Sequence, residues 1–269
     1  EPKDRDANEQ SWLNVLETLA KLDARQILFT FLPQNASRRF YERANAMDTV
    51  IFGRGLVTDP SGNPDETRLE PWPAVVGDLG QTLPFGVIAL PPADNGHYRR
   101  QYVGFTVQGQ RYPVLETRAA GLLTGDPPLL SDQPYWVNFQ GGQDYLPIVG
   151  LQRLLQDGLI PELVRGRSVL IGLLPSPRTP GLHTPLDRAT DSGIPLLVFQ
   201  GYALQTLLHH QPIQPLSAPV VLAILMVVVF ASMMLYQWGR LRFGLWVTSG
   251  ILLIYAALVW LALAHAQWW

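Results

Sequence analysis

The sequence contains no cysteine, which excludes a disulfide framework and any thiolate metal site. It also lacks a basic excess. The part before residue 219 carries 18 basic against 22 acidic side chains, a net of −4. Nucleic acid is a polyanion that such a surface does not attract, so a nucleic-acid partner is excluded as an expectation. There is no Gly-x-Ser-x-Gly elbow, no phosphate-binding Gly-Lys-Ser/Thr loop and no His-Glu-x-x-His helix, so no common hydrolase, nucleotide or zinc-protease chemistry announces itself. His209 and His210 are adjacent, which places their rings on different faces of a helix and makes them poor joint metal ligands. No enzymatic activity, metal or cofactor is expected. Repeats and low-complexity tracts are absent as well.

Charge is missing most completely from two stretches near the end of the 269-residue chain. Residues 219–236 read PVVLAILMVVVFASMMLY, and residues 245–264 read LWVTSGILLIYAALVWLALA. A helix rises ~1.5 Å per residue, so runs of about 18 to 25 apolar residues match the ~30 Å hydrocarbon core of a bilayer. Neither run has the polar stripe of a helix buried in a soluble core. Two transmembrane helices joined as a hairpin are expected. Their connector, QWGRLRFG, carries Arg240 and Arg242, whereas residues 265–269 contain no Lys or Arg. Short basic loops stay in the cytoplasm, so residues 1–215 are expected outside it. Trp238, Trp246, Trp260, Trp268 and Trp269 lie near the run ends, where indole rings favour the headgroup zone. The chain begins with Glu1 and no apolar signal segment, so export of the domain is expected to depend on a segment upstream.

About 215 residues precede the hairpin, enough for one substantial core. Residues 1–10 are charged and polar and read as a linker or a frayed start. From Ser11, a possible N-cap, apolar residues at Trp12, Leu13, Leu16, Leu19 and Leu22 predict a helix. Residues 26–32 (QILFTFL) read as a buried strand, 37–47 as a helix and 49–52 as a strand. Helix–strand–helix–strand in some fifty residues is the rhythm of an α/β layer with a central, partly parallel sheet. Residues 54–77 are dense in turn formers and read as a surface loop. Beyond it come a strand at 85–90, a turn at Asp94-Asn-Gly96 and a hairpin joining 103–107 to 111–114. A helix over 115–123 stops at Gly125. Residues 135–139 and 167–172 read as strands, 149–157 and 195–209 as helices.

Three segments stand in order ahead of the expected membrane hairpin: residues 86–96 (GVIALPPADNG) with Arg99 and Arg100, residues 166–172 (GRSVLIG) with Thr184-Pro-Leu186, and residues 194–208 (IPLLVFQGYALQTLL). Together they resemble the CHASE type 2 family, extracellular sensory domains attached to bacterial cyclases, histidine kinases and serine/threonine kinases. Gly86-Val-Ile-Ala-Leu-Pro-Pro-Ala-Asp-Asn-Gly96, running on to Arg99 and Arg100, is similar to the family's glycine-led strand, Asp-x-Gly turn and basic residue. Gly166-Arg-Ser-Val-Leu-Ile-Gly172 resembles its Gly-Lys-x-Val-Leu-Ile-Gly strand, and the next loop ends in Thr184-Pro-Leu186 like its Thr-Pro-Leu. Residues 194–208 resemble the family's last helix before the membrane. Leu196 stands where the family usually has glycine and Gln200 where it usually has histidine. The acidic residue common before Thr-Pro-Leu is missing, and Arg178, Thr179 and His183 occupy that loop instead. The resemblance also implies a third membrane helix and a cytoplasmic output domain beyond residue 269, and, with the orientation above, places residues 1–215 on the periplasmic side of a bacterial inner membrane.

Candidate ligand-binding residues follow from charge and placement. Arg99 and Arg100 beside Asp94 offer either a clamp for an acidic ligand, since a guanidinium is a planar fork of donors, or an ion pair after a turn. Arg178, His183 and Thr184 offer either an anion site or a loop packed on its own domain. Trp72 and Trp136 read as loop or core anchors rather than sugar platforms. Two functions of different class fit: a sensory input module that passes ligand or partner binding across the bilayer, and a non-catalytic docking subunit of a membrane assembly. In both, the lipid bilayer and protein partners or a second copy are the expected contacts, and the ligand has no chemical signature.

Overall fold

The computed structural model describes residues 2–57, 67–125, 133–140, 146–151, 153, 161–174, 181–185, 193–209, 218–238 and 250. It divides into two compact units, Glu1–Ile213 and Gln214–Trp269. Of the expected helix at 149–157 only residues 149–151 and 153 are described, and of the second apolar run at 245–264 only residue 250.

The first unit is built on a four-stranded sheet in which every neighbouring pair is parallel. Its strands are β1 (Gln26–Phe29), β2 (Val50–Arg54), β5 (Phe85–Val87) and β10 (Ser168–Ile171), in the order β10-β1-β2-β5. Strands of a parallel sheet are covered on both faces, so they read as continuous apolar runs. The side chains of β1 and β2 then divide between two cores. Ile27, Phe29, Val50 and Phe52 pack with Leu13, Leu16 and Leu19 of α1 (Pro2–Lys21) and with Phe40, Tyr41 and Ala44 of α2 (Arg38–Asn45). Leu28 and Ile51 point the other way, against Leu115 and Ala119 of α3 (Leu115–Thr124) and Leu204 of α4 (Leu196–Leu208). The result is helix, sheet and helix in three layers. Fully burying one such Leu or Phe side chain stabilises the fold by roughly 1.5–3 kcal/mol.

Local signals set the element ends where the chain carries them. The Ser37 hydroxyl accepts from the Phe40 amide at 3.2 Å, capping α2. Gly125 ends α3 at φ 76°, a left-handed position that glycine takes without a Cβ penalty. The linker alternative for residues 1–10 and the N-cap at Ser11 are overturned, because α1 already runs from Pro2. Proline suits a first helical position, and the following Lys, Arg, Glu and Gln are fair helix formers.

Smaller antiparallel pairs decorate this layer. β3 (Leu56–Val57) pairs with β4 (Arg68–Leu69), so the stretch expected as plain loop closes as a ribbon, with 58–66 outside the described residues. Arg54 holds that ribbon, donating twice to the Glu70 carbonyl at 3.0 and 2.7 Å while lying over Trp72 and Phe85. β7 (Gly104–Val107) and β8 (Gln110–Pro113) form the expected hairpin. β6 (Arg100–Gln101) pairs with β9 (Tyr135–Trp136), so only the start of the expected strand at 135–139 is strand, and it belongs to a separate ribbon.

In the second unit, α5 (Ala218–Trp238) is a 21-residue helix without a charged side chain. Its large apolar side chains are exposed, Met226, Val227 and Phe230 among them at 63–68 %. Among the described residues no helix is long and apolar enough to cross a membrane.

Candidate functional site

Open parallel sheets bind ligands beyond the carboxyl ends of their strands, where the strand order reverses. Here that place lies between β1 and β10. The chain fills it with its own atoms. A Cβ on Gly172, just past β10, would fall 2.6 Å from Thr30 Oγ1 and 2.8 Å from the Leu197 Cβ at the start of α4. Only glycine lets β10, the end of β1 and α4 meet this closely.

The loops after β5 and β10 are then stitched together over the same edge. Ile88 donates its amide to the Arg54 carbonyl at 2.8 Å, and its side chain lies where a Cβ on Gly53 would be. Asp94 and His97 exchange backbone hydrogen bonds of 2.9 and 3.0 Å across Asn95 and Gly96, both at positive φ. The Tyr98 amide donates to the His183 carbonyl at 2.7 Å. Leu182 and Ile194 exchange bonds of 2.8 and 2.9 Å, which ties that loop to the start of α4. Arg99, Arg100, His183 and Thr184 therefore come from one stitched surface, although 84 residues separate Arg99 from His183 in the chain. Arg178 lies outside the described residues.

Their chemistry differs in detail. Arg100 donates through Nη2 to Asp94 Oδ1 at 2.5 Å, with both side chains about one-third exposed, and its guanidinium stands 5.9 Å from the Trp136 ring. The Arg99 carbonyl accepts from the Val137 amide at 2.9 Å, and the buried Nε atoms of Arg99 and Arg100 have no hydrogen-bond partner among the described residues. Thr184 is buried. No group of three or more His, Asp or Glu that could hold a metal occurs among the described residues. A shallow depression lined by Asn138, Gln140, Gln205, Thr206 and His209 has no room for a water-sized molecule and lies toward the far end of α4.

Next to the Arg100 ribbon is a buried polar group that sequence reasoning passed over. Glu116, in the first turn of α3, is 2 % exposed. Its Oε1 accepts from Gln101 Nε2 at 3.2 Å, while Oε2 has no partner among the described residues. Burial pushes its carboxyl up from the ordinary 4.5 to about 7, against the opposing pull of its own backbone N–H and of Gln101. Gln101 lies opposite Tyr135 across the ribbon, and the Tyr135 hydroxyl donates to the Ala203 carbonyl of α4 at 3.1 Å. Burial, reinforced by the Glu116 charge, raises the Tyr135 phenol well above its ordinary value. The signal was available in part: Glu116 shares a helical stripe with Ala119, Ala120 and Leu123, so the carboxyl sits on the apolar face of α3.

A family model, the CHASE2 domain, matches residues 6–236. The chain belongs to the CHASE2 family. No curated protein matches the chain, and no solved structure does either. CHASE2 domains are extracellular sensory domains, which is the class that the sequence resemblance implied. The geometry also gives two CHASE2 motif glycines a physical role. A Cβ on Gly86 would fall 2.4 Å from the Leu115 Cα and 2.7 Å from its nitrogen, so Gly86 lets the first turn of α3 sit directly on β5. Gly172 does the same for α4 on β10. At the family's histidine position, Gln200 is fully buried in α4 with Oε1 unpartnered among the described residues.

Proposed function

We propose that this CHASE2 domain is the non-catalytic input module of a bacterial inner-membrane receptor. Its first unit stands on the periplasmic side, α5 and the run at 245–264 form a transmembrane hairpin, and binding passes to a cytoplasmic output domain beyond residue 269. The observation that carries this reading is the reach of the CHASE2 match through nearly the whole α/β unit and into α5, an uncharged helix whose described apolar side chains are exposed. Arg240 and Arg242 in the connector support the orientation. The stitched surface of Arg99, Arg100 and His183, with Arg178 in the same loop, is where a ligand or partner with acidic groups would bind. A ligand moves such a module only by binding one arrangement more tightly than another.

A second reading has its own support. Leu197 fills the crevice at the strand-order reversal, and Leu196 and Gln200 replace the glycine and histidine usual in relatives. Those features favour a docking subunit, in which the outer surface holds protein partners or a second copy. The reading frame beyond the Trp269 codon separates the two. The receptor reading expects a third apolar run followed by a catalytic or kinase domain; a stop codon at that point would overturn it and leave the docking subunit.

A further inference from the structure

We propose that Glu116 is a proton-binding site that locks α3 against α4, and that its ionisation in the outer compartment loosens this contact. The proposal deepens the sensory reading by naming the proton as an input, and it rests on that reading for its place in signalling.

The geometry favours the neutral acid. An ionised carboxylate accepts from up to about four donors, whereas the described surroundings offer Glu116 one side-chain donor, Gln101. That donor cannot be turned to better use. The Gln101 side-chain oxygen accepts from the Tyr102 amide at 2.9 Å, which fixes the amide with its nitrogen toward Glu116. Oε2 is left buried and unpartnered among the described residues, the position where a carboxyl proton is cheapest to hold in a desolvated site. Gly86 keeps the first turn of α3 pressed on β5, so the side chain has no easy way out to water.

The surroundings also say what would respond. Tyr135, close enough for the Glu116 charge to act on it, gives its hydroxyl proton to Ala203 of α4. Thr117 Oγ1 on α3 and Gln200 Oε1 on α4 are further buried polar atoms without partners among the described residues. A negative charge on Glu116, felt at Tyr135, draws water toward the α3–α4 contact that the Tyr135–Ala203 bond braces. α4 is the last helix before α5 in the chain, which is where an input would have to act. Other charged or titratable groups on the packed elements are Arg118 on α3, Arg111 and Tyr112 on β8, Tyr202 on α4, Arg54 on β2 and Arg100 on β6. Arg54 is held by the Glu70 carbonyl and Arg100 by Asp94. Nearby loops add His97 and His183, whose contribution a substitution at Glu116 leaves in place.

The test is hydrogen–deuterium exchange of the full chain in detergent, corrected for intrinsic exchange rates and followed from pH 4 to 9 in peptides covering 115–124 and 196–208. Wild type should lose protection in both peptides with a midpoint near pH 7, shifted from the ordinary carboxyl value of 4.5. Glu116→Gln, neutral at every pH, should stay protected throughout, while Gln101→Met, which removes the donor that favours the carboxylate, should move the midpoint upward. A wild-type midpoint near 4.5, or a Glu116→Gln profile that still follows wild type, would overturn the proposal. If Glu116→Gln does not fold, Gln101→Met decides, and an unmoved midpoint sinks it. The readout is the titration of Glu116 itself, so this test and the reading-frame test can fail separately.

Discussion

Replacing Gly86 with alanine is the sharpest single perturbation of the fold that positions both α3 and Glu116. The added methyl carbon would lie 2.4 Å from the Leu115 Cα, 2.7 Å from its nitrogen and 2.9 Å from the Val114 carbonyl carbon. Ordinary contacts between carbon atoms are about 3.5–4.0 Å, so α3 must lift by about 1 Å or β5 must bend. All three neighbours are backbone atoms, and no side chain can rotate away to relieve them. Overpacking a core costs typically about 1–3 kcal/mol, and a clash with backbone on both sides belongs at the upper end, about 3 kcal/mol. Gly150→Ala is the control, because nothing lies within 4 Å of its Cβ position; its expected change is within about 0.5 kcal/mol. Urea unfolding of the full chain in detergent, followed by far-UV circular dichroism, should show a lower midpoint for Gly86→Ala and an unchanged one for Gly150→Ala. Equal midpoints would refute the seating of α3 on β5. Lifting the first turn of α3 should also let water reach Glu116 and bring its carboxyl down toward the ordinary range.

Glu116 predicts a pH dependence with a definite sign. Its folded value, about 7, lies above the ordinary 4.5, so the folded state binds the proton more tightly than the unfolded chain does. The stabilisation is complete below pH 4.5, is lost progressively as pH rises to about 7, and changes no further above that; at roughly 1.4 kcal/mol per pH unit it amounts to about 3 kcal/mol. In Glu116→Gln, measured by the same urea titrations, this component should vanish and stability at pH 8 should exceed that of wild type. Arg100→Met removes an ion pair whose side chains are about one-third exposed, so it should cost about 1 kcal/mol or less, and less again in high salt. A loss of several kcal/mol in that variant would mean that Arg100 anchors the loop over β9 far more than its exposure implies.

Much of the first unit was legible because its signals are local. Ser37 announced α2, Gly125 ended α3, and Gln108-Gly109 between two short apolar runs announced the β7–β8 hairpin. Continuous apolar runs at β1 and β2 implied a sheet covered on both faces. The order of the sheet was not legible, since placing β10 beside β1 is a pairing across about 140 residues that no local pattern encodes. The same holds for the site. Arg99 and Arg100 stood out as a charged pair after a turn, yet their meeting with His183 depends on one backbone hydrogen bond between distant loops. Glu116, Gln101 and Tyr135 each looked like ordinary residues of their own elements, and only the α3–α4 packing turns them into a buried network. Gly86 and Gly172 were visible as motif positions, but the reason for them, two helices seated on strand backbone, appears only in three dimensions.

The central claim is that the CHASE2 unit faces the outside of the cell from a membrane anchor, and the absence of cysteine from these 269 residues makes it directly measurable. Thr106, exposed on β7, can carry a single cysteine, and Gly239 in the connector another, each in its own variant of this chain. A membrane-impermeant maleimide applied to intact cells with a permeabilised outer layer should label Thr106→Cys at once and Gly239→Cys only after the inner membrane is broken. Labelling of Thr106→Cys only after lysis would contradict the account.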